Sequence, residues 1–363
     1  MPKTAVQMKR LSIILAAMLL VLTPLLTDAK PSKHIIGFYN LENLFDTVHD
    51  EGKDDGEFLP DGGNKWTEDK YQRKLSNMAS VIAAMKRKNH AWHTILGVAE
   101  VENLHVLEDL VAEPQIAGAG FRIVHHEGPD TRGIDVALLY RPDQFTYLDS
   151  ESIPYSFEGF PYVSSLTEEE KDGFRTRDVL MVHGMIEDEH FAVYVAHLPS
   201  RRGEKSGDLR ARGAAIIYRH SVEMMRKYPG IKCIVMGDMN DDPVDESLAL
   251  YLHGRETIEE MRPSDYFSPF LSMLKDGYGT LSYRGVWNIF DCILVNYDLA
   301  NAPEGSFHIV PATKRKYYGR VFEKPFMTQQ SGNYKGTPFR TFSGGEFIGG
   351  YSDHYPTYII IKK

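Results

Sequence analysis

Cysteine is scarce in this sequence, which has two cysteines among 363 residues. So few thiols exclude a disulfide-stapled scaffold and a four-cysteine zinc site. Cys233 lies well before Asp238 in one apolar run, whereas Cys292 directly follows Asp291. If both aspartates reach the same sheet edge, the two cysteines lie further apart than the roughly 7 Å between Cα atoms that a disulfide allows. We therefore predict two buried free thiols.

An excess of positive charge is also absent. Lys and Arg number 41 against 50 Asp and Glu, which gives a formal net charge of −9. A protein that wraps nucleic acid through bulk charge would be basic, so this balance disfavours that class. An acidic cleft loaded with a cation stays open. The composition, 42% hydrophobic and 25% charged, excludes collagen-like, disordered and coiled-coil chains.

Long hydrophobic runs are missing everywhere except near the N-terminus. There Lys9 and Arg10 precede the apolar run 11–26, and Ala29 follows shortly after. A basic segment, an apolar segment and small residues at a cleavage point are typical of a secretory signal peptide. The alternative is an uncleaved anchor helix, but the run is shorter than the roughly 20 residues that span a bilayer. We predict a signal peptide over 1–29 and export to the periplasm or the medium.

The remaining chain, 30–363, reads as one α/β domain. Apolar, strand-like runs alternate with two helical patterns, one centred on 71–85 and one on 209–225. Many of the strands are continuously apolar, which indicates strands buried between layers. Three segments rich in glycine, charge or aromatics have no clear period and read as long loops: 50–65, 155–175 and 312–350.

Polar residues capable of chemistry stand at one end of six strand-like runs. They are Asn40 after 35–39, Glu100 after 94–99, His197 after 191–196, Asp238 after 231–237, Asp291 before 292–295, and Asp353 with His354 before 358–361. If the first four strands run one way and the last two run the other way, all six groups meet at one edge. Turns attract Asp and Asn, which explains any single site. That explanation serves Glu100 and His197 poorly, because neither is a turn former.

This ordered set resembles the endonuclease/exonuclease/phosphatase superfamily, which includes pancreatic deoxyribonuclease, abasic-site nucleases, sphingomyelinases and inositol-phosphate phosphatases. The resemblance covers roughly residues 34–361. The local sequences 130–140 and 197–202 look like a secreted bacterial branch usually described as endonucleases. The resemblance implies a deoxyribonuclease-like fold of the α/β (α+β) class, a four-layer α/β/β/α sandwich.

The resemblance also implies hydrolysis of phosphoesters with a divalent cation, Mg²⁺ or alternatively Mn²⁺ or Ca²⁺. Glu100 would be the principal metal ligand with Asn40 beside it. Glu42 sits where some members place a second carboxylate, and Asp353 would lie near the metal. Carboxylate and amide oxygens are the ligands that hard divalent cations prefer.

Two histidines receive catalytic roles by the same resemblance. His354 would be the general base, since imidazole titrates near neutral pH, and Asp291 would orient it. His197 would act as general acid toward the leaving oxygen, with Asp135 as its carboxylate partner.

Other side chains are candidates for contact with the substrate. Asp238 and Asn240 would flank the scissile phosphate, Asp238 as a ligand or an acceptor for the attacking water and Asn240 as a donor to the phosphoryl oxygen. Arg201 is the nearest phosphate-binding candidate in an arginine-rich stretch, and Arg132 and Arg177 are weaker ones.

The basic and aromatic stretch 314–320 could track a nucleic-acid strand, or it could be an exposed loop. The leading functional hypothesis is an exported endonuclease whose partner is its nucleic-acid substrate, DNA or RNA, with no stable membrane anchor and no protein partner inferred. The alternatives are a phosphatase or phospholipase-type hydrolase of the same fold, and a binding protein on a decayed hydrolase fold.

Overall fold

The computed structural model describes residues 32–158, 166–283, 285–312 and 317–363. The predicted signal peptide lies outside these ranges. Residues Lys33–Lys363 form one compact unit. No helix within the described ranges is both long and apolar enough to cross a bilayer.

Two mixed β-sheets form the centre of the described structure. The first contains, in spatial order, β14 (His308–Ile309), β18 (Thr357–Lys362), β1 (Lys33–Leu44), β2 (Ile95–Val101), β4 (Asp135–Tyr140) and β3 (Arg122–His125), with β15 (Arg320–Val321) also paired to β18. The second contains β5 (Thr146–Ile153), β6 (Val179–Ile186), β7 (Glu189–His197), β8 (Lys232–Asp238), β13 (Asp291–Asn296), β10 (Tyr266–Phe267) and β9 (Gly254–Arg255).

Two short hairpins stand apart from these sheets. One pairs β11 (Leu281–Tyr283) with β12 (Val286–Asn288), and the other pairs β16 (Phe342–Ser343) with β17 (Glu346–Phe347). The α-helices of the described ranges are α1 (Glu68–Asn89), α2 (Leu104–Ala112), α3 (Glu168–Gly173), α4 (Ser206–Lys227), α5 (Leu271–Lys275) and α6 (Tyr297–Ala300). Short 3₁₀ turns occupy Gly56–Phe58, Ala117–Ala119 and Pro325–Met327, and a π-helical turn occupies Ser247–Tyr251.

Strand β1 shows why the two sheets are sandwiched between helices. Ile36 and Phe38 point into the core shared with the second sheet, whereas Ile35 and Tyr39 point into a core shared with α1. Alternate residues of a strand face opposite sides, so a strand buried on both sides must be continuously apolar. Each fully buried side chain of this size contributes about 1.5–3 kcal/mol.

The outer layers are helical. Helix α1 covers the first sheet with Tyr71, Leu75 and Met78, and α4 covers the second with Ala214 and Ile217. The two sheets between them approach closely: a Cβ on Gly97 would stand 2.5 Å from Met236 Sδ. The four-layer α/β/β/α sandwich predicted from the sequence is confirmed.

The strands and helices differ from the sequence prediction mainly where burial is one-sided or absent. Strand β5 is exposed along most of its length, so its sequence has no apolar run from which a strand could be predicted. Helix α2 is short, and the pattern 104–112 was too brief to show its period. Both cysteines are free and buried, as predicted.

His93 is a buried histidine with an expected effect on stability. Its ring packs against Gly37, where a Cβ would stand 2.7 Å from His93 Cδ2. Neither ring nitrogen has a hydrogen-bond partner within the described ranges. Burial therefore disfavours the imidazolium and lowers the pKa of His93 from 6.5 to about 4.

This depressed pKa predicts acid sensitivity. Below pH 6.5 His93 becomes protonated in the unfolded chain. In the folded chain it stays neutral until the pH nears 4. Between pH 7 and pH 4.5 the free energy of unfolding should therefore fall by about 2 kcal/mol because of His93. Urea unfolding measures this fall. It should be smaller by that amount in His93→Leu than in the wild type between pH 7 and pH 4.5. His105→Gln, an exposed histidine, should behave as the wild type does; identical losses in all three proteins would contradict the prediction.

Candidate active site

Three strands of the second sheet align three of the predicted site residues. Strands β7 and β8 are parallel, and His197 pairs with Asp238 in their register. Strands β8 and β13 are antiparallel, and Asp238 pairs with Asp291. The three side chains therefore stand in one row at one edge of the sheet.

The first sheet supplies Asn40 and Glu100 to the same place. Strands β1 and β2 are parallel, and Asn40 pairs with Ala99, directly before Glu100. Between β2 and β4 the register shifts at Ala99 and Val101, and Glu100 has φ 59°. Such a bulge redirects a side chain, and a left-handed backbone at a non-glycine residue is a strain found mostly at functional sites. The bulge is what turns Glu100 toward the row on the facing sheet.

Asp238 is the centre of the site. Its Oδ2 accepts a hydrogen bond from Asn40 Nδ2 at 2.9 Å and lies 3.7 Å from Nε2 of both His197 and His354. Its Oδ1 accepts from the backbone N–H of Asn240 at 2.9 Å. Asn40 Nδ2 also donates to Glu100 Oε1 at 3.2 Å and so joins two carboxylates. Burial raises the pKa of Asp238 to about 7, although the charge of His354 opposes this.

His354 and Asp291 form the pair predicted from the sequence. His354 Nδ1 lies 2.7 Å from Asp291 Oδ2, and both residues are buried. Nε2 then faces Asp238 and Asp353, each at 3.7 Å. Burial lowers the pKa of His354, but the carboxylates of Asp291, Asp238 and Asp353 outweigh it and raise the pKa well above 6.5.

His197 approaches the same oxygen of Asp238 as His354 does. Its Nε2 lies 3.7 Å from Asp238 Oδ2 and 3.8 Å from Glu100 Oε1, and its Nδ1 has no hydrogen-bond partner within the described ranges. Burial, followed by the positive charges of Arg177 and Arg132, lowers the pKa of His197 well below 6.5. The ring is therefore neutral at pH 7 in this environment.

The predicted pairing of His197 with Asp135 is wrong. Asp135 Oδ2 instead lies 3.3 Å from His125 Nε2 and accepts a hydrogen bond from Gly128 N–H at 3.2 Å. Asp135 opens β4 in the first sheet, whereas His197 ends β7 in the second. The contacts of Asp135 come from within residues 122–135, a region in which the sequence pattern predicted no contacts.

Glu42 and Asp353 form a second acidic cluster. Two cationic side chains, Arg340 and Lys74, lie beside it, and the sequence analysis did not predict either of them. Arg340 Nη2 lies 2.5 Å from Asp353 Oδ2 and its Nε lies 3.8 Å from Glu42 Oε1. Lys74 Nζ, fully buried, lies 3.8 Å from Glu42 Oε2 and donates to Thr341 Oγ1 at 2.6 Å. Burial and the charge of Asp353 raise the pKa of Glu42 to about 7.

A signal for Lys74 was present in the sequence. Lys74 lies on the same face of α1 as Tyr71 and Met78, which are buried. A lysine in an apolar helical face needs a buried polar partner. Arg340 lies inside 312–350, where no pattern was available.

Asn240 and Arg201 shape the loop after β8. Asn240 has φ 50° and its Nδ2 donates to Leu198 O at 3.0 Å, which ties this loop to the residue after His197. Arg201 Nε donates to Asn240 O at 2.8 Å, and its Nη2 lies 2.5 Å from Asp245 Oδ2. The guanidinium is thus engaged by the protein, and a role for Arg201 in binding phosphate stays a prediction.

Arg177 was wrongly placed among the substrate contacts. It is buried, and its guanidinium donates to Asp130 Oδ2 at 3.0 Å, to His197 O at 3.2 Å and to Leu198 O at 2.9 Å. Arg177 therefore positions the end of β7. Arg132 keeps an exposed side chain close enough to affect His197, and stays a candidate contact.

Glu100, His197 and Asp238 meet the geometric requirement for a metal site. One ligand atom from each lies within 4.8 Å of the other two. The two carboxylates are the oxygen donors that hard divalent cations prefer, and His197 Nε2 lies beside them at 3.8 Å from Glu100 and 3.7 Å from Asp238. The burial that raises the pKa of Asp238 also means that a cation would relieve an unfavourable concentration of negative charge. The residues therefore fit a divalent metal.

The sequence profile of the Endonuclease/Exonuclease/phosphatase family matches residues 35–363. The chain belongs to this family. Its members are metal-dependent phosphoric ester hydrolases. No curated protein sequence matches the chain.

Solved structures of the same architecture are similar to this chain. An endonuclease/exonuclease/phosphatase family protein from Bacteroides thetaiotaomicron has a TM-score of 0.53 at 17% identity, covering 92% of this chain and 98% of that chain. Bacteroides thetaiotaomicron VPI-5482 mannosyl-6-phosphatase has a TM-score of 0.51 at 16% identity, covering 90% and 99%. D. rerio TDP2 complexed with single strand DNA product has a TM-score of 0.51 at 14% identity, covering 92% and 100%. At these identities the likeness establishes the fold.

Removal of one proposed ligand tests the metal site. Glu100→Gln should weaken the binding of Mn²⁺ by at least about tenfold, measured by titration calorimetry, because an amide carries no charge. Glu102→Gln is the matched control. Burial raises the pKa of Glu102 to about 8, so this change removes little charge at pH 7. Equal Mn²⁺ affinity in both variants would contradict the assignment of Glu100.

Proposed function

We propose that the protein is an exported, divalent-metal-dependent phosphodiesterase, an endonuclease that hydrolyses DNA or RNA. The observation that carries the proposal is that the Nε2 atoms of His197 and His354 both lie 3.7 Å from Asp238 Oδ2. Hydrolysis of a phosphodiester needs a group to activate water on one side and a donor to the leaving oxygen on the other.

His354 is suited to receive the proton of the attacking water. Its Nδ1 is occupied by Asp291, which leaves Nε2 as the site that accepts the proton. The carboxylates of Asp291, Asp238 and Asp353 stabilise the imidazolium that forms and raise the pKa of His354 well above 6.5, so the ring acts as a base from its deprotonated form, whose share rises with pH. Asp291 also fixes the orientation of the ring.

His197 is suited to face the leaving oxygen. Because its pKa is lowered, the neutral ring offers an N–H donor there, and transfer of a whole proton by His197 stays a prediction. A divalent cation held by Glu100 with Asp238, Mg²⁺ in our proposal, would neutralise the charge of the phosphate. Asn40 holds these two carboxylates side by side.

A phosphatase acting on a small substrate is the second candidate. A cavity of about 140 Å³ beside the site is lined by Arg340 and Asp353, together with Tyr334 and Gln329. Such a space suits a compact polar group better than a polymer. The mannosyl-6-phosphatase among the structural neighbours favours keeping this alternative.

Plasmid nicking separates the two candidates. The protein with Mg²⁺ should convert supercoiled DNA to open circles or degrade RNA, and excess chelator should stop the reaction. His354→Ala should lower kcat about 10²- to 10⁴-fold, since general-base assistance is lost. His126→Ala, which removes an exposed histidine, should leave the rate unchanged. Activity that persists in chelator, or release of phosphate from sugar phosphates without any cutting of nucleic acid, would reject the endonuclease.

Export is tested separately from activity. The full chain expressed in a bacterial host should appear outside the cytoplasm with a mature N-terminus at Lys30, measured by intact mass. Leu19→Arg breaks the apolar run and should retain the full-length chain inside the cell. A full-length mass in the exported fraction would contradict cleavage.

A further inference from the structure

A second, larger cavity lies along the edge of the first sheet. It has a volume of about 670 Å³, within the range of sites that bind small molecules. Its lining combines basic and aromatic side chains, including Lys33, Arg320, Tyr358, Trp287 and Tyr278. The proposed mechanism uses none of these residues.

The cations of this cavity lack carboxylate partners. Lys33 Nζ donates to Asn89 O at 3.2 Å, and Arg320 Nη1 donates to Tyr318 O at 2.8 Å. Within the described ranges neither Lys33 nor Arg320 forms an ion pair, and the cavity lining holds Lys88 and one carboxylate, Glu323, besides them. Burial, Lys362 and Arg320 together lower the pKa of Lys33. Lys33, Lys88 and Arg320 beside a single carboxylate give this cavity an excess of positive charge in a protein of net charge −9, which favours an anion there.

The aromatic side chains offer flat surfaces beside these cations. Trp287 is 37% exposed and stacks on Tyr355 with ring centroids 6.1 Å apart and planes at 16°. Tyr278 and Tyr317 meet edge to face at 5.6 Å. Aromatic faces next to cations are the combination that holds unpaired bases and their phosphates.

The cavity is joined to the catalytic site through the β11–β12 hairpin. Trp287 stacks on Tyr355, the residue after His354, and Tyr355 N–H donates to Thr280 O at 2.7 Å. Along β1, Lys33 lies roughly 23 Å from Asn40 at about 3.3 Å per residue. A ligand that reaches both places is therefore several nucleotides long.

We propose that this cavity binds an unpaired nucleotide of the substrate strand remote from the scissile phosphate. Lys33 and Arg320 would bind its phosphate, and the Trp287 or Tyr278 ring would stack on its base. The proposal rests on the proposed function, since it names single-stranded nucleic acid as the polymer that the catalytic site cuts.

Binding in the presence of chelator isolates the cavity from hydrolysis. A fluorescent single-stranded oligonucleotide of about 12 nucleotides should bind the wild-type protein with strong salt dependence. Arg320→Ala and Lys33→Ala should each weaken binding severalfold and reduce the salt slope by about one unit. Trp287→Ala should weaken it about fivefold or more, with Trp287→Phe restoring most of the affinity. Arg122→Ala, on the opposite edge of the same sheet, is the matched control and should bind as the wild type does.

A kinetic readout guards against indirect effects on His354. The ratio of kcat/KM for the oligonucleotide to that for bis(p-nitrophenyl) phosphate should fall in the Arg320 and Trp287 variants. A parallel fall for both substrates would mean a structural effect and overturn the proposal.

The remaining outcomes separate the two proposals. If the oligonucleotide is bound and cut while the cavity variants retain full affinity, the cavity proposal fails and the endonuclease stands. If the wild type neither binds nor cuts any nucleic acid, the endonuclease proposal itself fails. If a mononucleotide or inorganic phosphate binds the cavity as tightly as the oligonucleotide does, the cavity serves a small anion and the strand proposal is overturned.

Discussion

The buried carboxylate of Asp238 is the contact on which the arrangement of the site depends. Asn40 comes to it from the first sheet, His197 from the neighbouring strand, and His354 from the segment that leads into β18. A buried charge is tolerated only when hydrogen bonds and opposite charges surround it, and the raised pKa of Asp238 shows that this compensation is incomplete without a cation. Binding of a metal and stability of the site are therefore two aspects of one electrostatic requirement.

Sheet register makes this convergence possible. Parallel pairing of β7 with β8 and antiparallel pairing of β8 with β13 put one residue from each strand into a single row. A slip of one residue would turn Asp238 to the other face of its sheet. On the facing sheet the bulge at Glu100 turns that side chain toward Asp238. A regular strand would not direct it there. The apolar strands thus fix the chemistry through their alignment.

The sequence predicted those features that follow from strand ends and missed those that depend on irregular chain. The convergence of Glu100, His197 and Asp238 at one edge follows from where buried strands stop, whereas the four-layer sandwich and the pairing of His354 with Asp291 were implied by the family resemblance. The partner of Asp135 does not follow from strand ends, because His125 and Asp135 are joined by the irregular segment 126–134, which has no periodic pattern. Arg177 looked like a phosphate ligand because a guanidinium serves surfaces and interiors alike. Only its burial, with Asp130 and two backbone carbonyls as acceptors, separates these uses.

Charge is distributed unevenly over the molecule: negative charge is concentrated at the catalytic site and positive charge in the larger cavity. Carboxylates crowd the joined sheet edges, where Glu42 and Asp238 both have raised pKa values, whereas cations without carboxylate partners line the larger cavity. An anion is repelled from the first place until a cation sits there, but is attracted to the second at any time. A polyanion that spans both would be held by the cavity first and drawn into the catalytic edge only after the metal is in place. The acidic net charge therefore does not by itself exclude an anionic substrate, because part of it lies where a cation would bind.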